Sequence, residues 1–395
     1  MEVGFICRKK GANILELTIM DRINSVLLIT PNYPIAGDPV YPFVKNLCDE
    51  FAKSNINVTV VSPQSVTSSW LHRKKLRPRI RTEYIEGKEI TIYQPYSLTP
   101  KQKHLKAYNY FIRLSVLWFL KRRRLNFDVC YCHFWCSAYW VIPYMKQHNI
   151  PLFVASGESV IKTQLSTHKR YSDFNKYVKG VVCVSSKNKE ESISLNYTTE
   201  DKCIVLPNAI NAKLFFKRSR EYCRKELGYP QDAFIVAFVG WFIDRKGPIR
   251  VAKAIEAVGG VKSLFIGKGN QDPQCDGILF KGQLSHDKIP IYLGAADCFV
   301  MPTRHEGCCN AVIEAMACGL PIISSNLPFN WDVLDSTNSI MVDPNNINEI
   351  ASAIRDLKDN PEKRLELANG ALRKANSLNI DKRVKSIIEF MESKI

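Results

Sequence analysis

Apolar residues in the first half of the chain fall into short β-rich runs separated by stretches of helical period. SVLLIT (25–30) reads as a buried strand ending in the loop PNYPIAGDP. A helical pattern follows over 41–53. The runs NVTVVS (57–62), DVCYCH (128–133), PLFVAS (151–156) and GVVCVS (180–185) then predict four more strands. The second half repeats this pattern with FIVAFVG (234–240), KSLFIG (262–267), DCFVMP (297–302) and PIISS (321–325). Helical periods occupy 247–258, 287–295, 309–318 and 346–358. Near-continuous apolar strands alternating with helices predict parallel sheets covered on both faces. Two α/β units of doubly wound, Rossmann-like type are therefore expected, joined through the Pro- and Gly-bearing stretch 206–230. Such units bind ligands outside the carboxyl ends of their strands, so the expected site is a central cleft between them.

The chain's 395 residues suit two such domains, and its composition of 46% apolar and 24% charged residues excludes a disordered or fibrous protein. The formal net charge is +17 and unevenly spread. Residues 1–200 carry 29 Lys and Arg against 15 Asp and Glu; residues 201–395 carry 26 against 23. Most of the excess sits in 73–124, with 15 basic residues against three glutamates. Within that segment HLKAYNYFIRLSVLWFL (104–120) has helical period and many aromatic rings. Basic ends around an aromatic helix suit an anionic membrane surface, and the same pattern suits a core helix with a solvated basic end. Basic runs also permit nucleic acid, but no helix-turn-helix, zinc knuckle or stacking platform accompanies them, so no nucleic-acid partner is expected.

Thirteen cysteines, several inside strand runs, read as buried free thiols and imply a reducing cytosol. Cys130, Cys132, His133 and Cys136 are metal-ligating types. Strand alternation sends neighbours to opposite faces, however, and no second ligand pair follows. No segment has the ~18 consecutive apolar residues of a membrane span. Residues 1–20 are not expected to be a signal peptide, because Arg8-Lys9-Lys10 follows their short apolar run rather than preceding it; they read as an extension ahead of the first strand, with Met20 as the alternative start.

The densest chemistry lies in MPTRHEGCCNAVIEAMACGLPIISS (301–325), a strand–loop–helix unit carrying Glu306 and Glu314. Gly307 permits close backbone approach. The amides of Cys308, Cys309 and Asn310 open a helix with Asn310 as its cap, which favours an anion. Two carboxylates for vicinal hydroxyls beside a phosphate-compatible amide cluster fit a nucleotide-sugar. VGWFIDRKGP (239–248) places Arg245 and Lys246 before a second helix start, a clamp for pyrophosphate. Gly267-Lys268-Gly269 adds a third glycine-bearing loop on the same edge. No Asp-x-Asp occurs anywhere, so these cations are expected to stabilise the departing diphosphate without a metal cofactor.

The order Gly240…Arg245-Lys246-Gly247, Gly267-Lys268-Gly269, Lys281-Gly282-Gln283-Leu284 and Glu306-x7-Glu314 running into Ala-Met-Ala-Cys-Gly-Leu-Pro resembles the donor domain of GT-B retaining glycosyltransferases of family four. The wording of the last motif is similar to that of capsule and teichuronic-acid members. The match is close over 235–375 and looser in the first half, through Gly37, His133, Ser185 and Pro207-Asn208. The resemblance implies an acceptor domain over 21–210, a donor domain over 211–378 and a last segment, 379–395, crossing back to the first domain. Glu306 would contact the donor sugar, Glu314 the ribose, and Arg245 and Lys246 the diphosphate. His133 would sit by the sugar and Gly37 by the phosphates. Backbone at Gly240, Gly267, Lys281, Gly282 and Gln283 would line the base. The family's usual Gly-Arg-Leu is Gly240-Trp241-Phe242 here, so its cation falls to Arg245. The implied activity is transfer from a nucleotide-sugar, a UDP-sugar, to a glycan, with retention. The acceptor would be lipid-linked, at the cytoplasmic face of the plasma membrane. A UDP-sugar epimerase of the same fold and a catalytically silent nucleotide-sugar-binding subunit are the rival readings.

Overall fold

The computed structural model describes residues 23–35, 41–71, 73, 75–100, 104–161 and 172–395. The extension 1–20 and Gly37 lie outside the described residues, as do Lys74, Lys101 and Lys103 of the basic segment.

The first half forms β1 (Ser25–Ile29), β2 (Asn57–Val61), β3 (Gln64–Ser65), β4 (Ile80–Ile85), β5 (Lys88–Tyr93), β6 (Tyr96–Ser97), β7 (Val129–His133), β8 (Leu152–Ser156), β9 (Val178–Cys183) and β10 (Cys203–Val205). Eight of these make one sheet in the order β10-β9-β8-β7-β1-β2-β5-β4, while β3 and β6 pair separately. All pairs in the large sheet are parallel except β4 with β5. Strand alternation divides the core between the two faces. Val26, Leu28, Val58 and Val60 pack on one side, and Leu27, Ile29 and Val61 on the other. The β4–β5 hairpin is missing from the sequence expectation. β4 buries no residue and β5 only Ile90 and Ile92, and the turn uses Glu86 and Gly87, both at positive φ, as a two-residue hairpin demands.

The second half forms β11 (Phe234–Val239), β12 (Val261–Ile266), β13 (Ile278–Gly282), β14 (Cys298–Met301), β15 (Ile322–Ser325) and β16 (Ser339–Val342). They make one parallel sheet in the order β13-β12-β11-β14-β15-β16. Strand order reverses between β1 and β7 in the first sheet and between β11 and β14 in the second. Those two points are where a doubly wound sheet opens a ligand crevice.

The expected linker 206–230 needs correction, because Arg220–Leu227 is helical. Ser219 caps it and left-handed Gly228 ends it. Arg224, 1% exposed, ties this helix to the second sheet through Asp297, 2.6 Å away. The last helix, Ile380–Glu392, leaves the second domain and lies on the first. Val384, Ile387 and Met391 join the first domain's core. Phe390 covers Gly180 so closely that a Cβ there would lie 2.7 Å from its ring. Arg383 donates to the carbonyls of Pro207 and Leu206.

Candidate active site

The loops after β11 and β14 build the densest cluster. Arg250, buried beneath them, donates to the carbonyls of Pro302 and Asp244, each at 2.9 Å, and the Arg304 amide donates to the Arg245 carbonyl at 2.9 Å. This lacing brings Glu306 onto both basic residues. Its Oε1 lies 2.6 Å from Arg245 Nη1 and 2.5 Å from Lys246 Nζ. Thr303 Oγ1 donates to the same oxygen at 3.4 Å. Arg245 also donates to the His305 carbonyl. The Lys246 and Glu306 side chains are 12% and 13% exposed, so the pair is shielded from bulk screening. Burial opposes the Lys246 charge, but Cys309 and Glu306 more than offset it, and the net shift of its pKa is upward.

A second group forms the edge beside this cluster. Gly240 donates to the Ile266 carbonyl, Phe242 to Lys268 and Gly267 to Gly282, joining the loops after β11, β12 and β13. Gly267 is obligatory, since a Cβ there would lie 1.9 Å from the Gly240 oxygen. Lys281 pairs with Asp272 at 2.9 Å on the surface, and Gln283 is exposed.

Asn310 does not cap the helix Asn310–Ala317, contrary to expectation. Cys309 occupies the cap position without a side-chain cap bond. Asn310 is drawn instead to the first domain's Asn208, which donates to it at 2.8 Å and to the Cys308 carbonyl at 3.2 Å. The Cys308 and Cys309 side chains are buried in the second core, and burial raises both thiol pKa values, that of Cys308 to about 12. Glu314, one turn into the helix, meets His286 Nε2 at 2.9 Å rather than joining Glu306. Burial opposes protonation of His286, but the hydrogen bond and charge of Glu314, with the charge of Asp287, together outweigh it and its pKa rises.

Opposite stands the first domain's crevice. A cavity of about 730 Å³ runs between its helices and opens on Arg245 and Glu306. His133, at the end of β7, is not on its wall. The ring is 7% exposed and packs among Phe43, Phe134 and Tyr131, with Nδ1 buried and without a hydrogen-bond partner. Burial, reinforced by the Arg383 charge, lowers its pKa to about 3, so the imidazole is neutral. The cavity wall holds a group that sequence reasoning missed, Glu158. Its only signal was a lone acid directly after a glycine at a strand's carboxyl end. Between the domains Gly307 meets Gly157 so closely that a Cβ at 307 would lie 2.4 Å from the Gly157 oxygen. Ser186 donates from its amide and its hydroxyl to Asp332 at 2.7 and 2.6 Å.

Comparison with known proteins agrees with this architecture. Residues 219–374 match the family model of glycosyl transferases group 1, and residues 42–214 match that of glycosyltransferase family 4. A Bacillus subtilis glycosyltransferase named for teichuronic acid biosynthesis, TuaC, is 27% identical over 83% of this chain and 88% of its own length. The Escherichia coli UDP-Gal:alpha-D-GlcNAc-diphosphoundecaprenol alpha-1,3-galactosyltransferase is 28% identical over 52% of this chain and 58% of its own. Among solved structures, Anabaena HepE in complex with UDP-glucose superimposes with a TM-score of 0.70 at 15% identity, covering 93% of this chain and 99% of that one. Two facing Rossmann-like domains, a cation-bearing cluster at the second switch point and two family matches that together run from 42 to 374 converge: the chain is a glycosyltransferase of the group 1, family 4 class with the GT-B fold.

Proposed function

We propose that the protein transfers a sugar from a nucleotide-sugar, a UDP-sugar, to a lipid-linked glycan in cell-surface polysaccharide synthesis, retaining anomeric configuration and using no metal. One observation carries the reading: Glu306 bridges Arg245 and Lys246 at the mouth of the cleft. Cleaving a sugar–phosphate bond leaves negative charge on the diphosphate and positive charge on the ring. Arg245 and Lys246 are fixed, shielded cations suited to the first. Once a diphosphate takes both cations, the Glu306 carboxylate is released toward the sugar's hydroxyls. The glycine edge of Gly240, Gly267 and Gly282 is bare backbone where a base would lie, and Glu314 supplies a carboxylate for the ribose. His133, buried behind the cavity wall among Phe43, Phe134 and Tyr131, supports the wall and gives the sugar no direct contact. The cation pair takes the electrostatic role that a metal has elsewhere. The UDP-sugar and lipid-linked acceptor of the E. coli relative, and the pathway named for the B. subtilis one, support the substrate class.

The acceptor's carrier has a matching face. Helix Leu105–Arg123 buries Ile112, Val116 and Leu120 and exposes Tyr110, Phe111, Leu114 and Trp118, the last by 64%. Trp70, 78% exposed, adds to the apolar surface of the first domain, and Lys121, Arg122 and Arg123 close the helix. Aromatic residues flanked by cations suit the anionic cytoplasmic leaflet. No helix among the described residues is long and apolar enough to cross a membrane.

The test is a thermal-shift screen of nucleotide sugars, followed by transfer from the best hit to GlcNAc-diphosphoundecaprenol. Glu306→Gln and Lys246→Ala should each abolish transfer in a folded protein. Turnover that stays at the wild-type level in either variant overturns the assignment.

A further inference from the structure

Glu158 follows β8 and is held by three donors. Oε1 accepts from the Trp135 amide at 2.7 Å, and Oε2 accepts from the Gly157 amide at 3.0 Å and Ser156 Oγ at 3.4 Å. Its own carbonyl accepts from Asn188 Nδ2 at 2.9 Å. The carboxyl is thereby fixed where the loops after β7, β8 and β9 meet. Its sequence neighbour Gly157 touches Gly307, the neighbour of Glu306. Two carboxylates from two domains therefore flank one backbone contact, and both line the same cavity with Arg245. Their situations differ. Glu306 is ion-paired twice, whereas Glu158 forms no ion pair among the described residues. A shielded carboxylate is costly to hold charged, and burial raises the Glu158 pKa to about 7. Holding the first turn of helix Trp135–His148 does not require it, since Ser, Asn or Asp serve that purpose at lower cost. The residue still lines the cavity, where a ligand hydroxyl can reach its carboxyl group. The surrounding wall combines the half-buried rings of Tyr41, Tyr108 and Phe134 with amide side chains such as Asn32 and Gln64. Rings for C–H faces and amides for hydroxyls are what a pyranose asks of a pocket.

We infer that Glu158 is an acceptor-binding residue: its carboxylate accepts a hydrogen bond from a hydroxyl of the acceptor sugar and holds that sugar in the first-domain cavity, facing the donor at Arg245 and Glu306. This rests on the glycosyl-transfer reading. Charged and titratable groups around the carboxylate are Tyr41 and Cys136 on the flanking helices, Cys183 at the end of β9, and the Lys187–Glu191 pair on the following helix. Arg245 and Glu306 face it across the cavity. Lys75, Arg77 and Tyr108 line the same cavity, and none of the described cations forms an ion pair with Glu158.

Steady-state kinetics of the full chain with UDP-galactose or UDP-glucose and GlcNAc-diphosphoundecaprenol test this, with donor hydrolysis by water followed in parallel. Glu158→Gln should raise acceptor KM about 10- to 100-fold, as expected when a hydrogen bond to a charged group is lost. Donor KM and donor hydrolysis should stay near wild type, while Tm falls somewhat because one of the two oxygens that accept from backbone amides becomes an NH2 group. In the wild type, kcat/KM for acceptor should climb as pH rises through about 7, and the variant should lose that limb. An unchanged acceptor KM in folded Glu158→Gln overturns the inference. So does a variant whose Tm falls while both KM values change together, which marks a purely structural cap. Should the variant not fold, a wild-type acceptor kcat/KM that is flat from pH 6 to 8 overturns it equally. Absence of any donor turnover in the wild type overturns the transfer reading, and this inference with it, whereas normal donor hydrolysis with the outcomes above overturns the inference alone.

Discussion

On the proposed reading, Glu306 already occupies both cations that an incoming diphosphate would need. Binding of a donor must therefore break two short ion pairs before it forms new ones. Glu306→Gln should bind free UDP more tightly than wild type, by about tenfold, while losing transfer; a difference of 1.4 kcal/mol suffices. Calorimetric titration with UDP reads this directly, and weaker binding would mean that the carboxylate organises the cations instead of competing for them. A buried histidine gives a second measurable consequence. His133 has its pKa lowered from 6.5 to about 3 in the fold, so below pH 6.5 the unfolded chain takes up a proton that the folded one refuses. That contribution to stability is complete above pH 6.5 and is lost as pH falls toward 3. Between pH 7 and 5 it amounts to about 2 kcal/mol. His133→Gln should show a shallower acid loss of urea-unfolding free energy than wild type over that interval. The spacing of Glu306, Arg245 and Lys246 made this cluster legible in the sequence, because each stands at a fixed offset from a strand end and a glycine. Glu158 was not legible. It belongs to no periodic pattern, and its neighbours at Trp135 and Arg245 come from distant parts of the chain.

At the level of elements, the apolar strand runs were readable because parallel strands buried on both faces are apolar throughout. Hairpin β4–β5 escaped, since β4 buries no residue and mixes polar with apolar ones, so it lacks the apolar run of a central strand. The helix Leu105–Arg123 carried two readings in the sequence, core helix and membrane surface; in the fold one of its faces is core and the other exposes rings. Helix Arg220–Leu227 was hidden by its charge, which serves a buried partner. Arg224 reaches Asp297, and Asp297 also accepts from the Ile235 amide at 2.7 Å at the start of β11. Replacing Arg224 by Met leaves Asp297 with only the more exposed Arg220, and should lower unfolding free energy by about 3–5 kcal/mol. A loss below 1 kcal/mol in urea titration would show that Arg220 compensates. The glycine edge is less forgiving: Gly267→Ala has no room for its methyl group and should weaken UDP binding without unfolding the first domain.

For the whole molecule, the net charge resolves into two uses. The smaller part includes the Arg245–Lys246 pair, and the larger part lies on the first domain beside the exposed rings. Replacing Phe111 and Trp118 by Ser should reduce sedimentation with vesicles containing anionic lipid and leave transfer to a water-soluble acceptor intact. Binding to neutral vesicles that equals binding to anionic ones would remove the electrostatic part of this reading. The domains themselves are coupled by the last helix, which belongs to the second domain's chain and the first domain's core. Side chains join them at Ser186–Asp332 and Asn208–Asn310, and one further contact has none. Gly157 and Gly307 meet through bare backbone, one residue away from each of the two carboxylates in the cleft. That contact works as a stop: at this point the domains are separated by peptide thickness alone. Gly307→Ala would insert a spacer one carbon thick into the stop, and an enzyme with both half-sites chemically intact would be left unable to bring them into register.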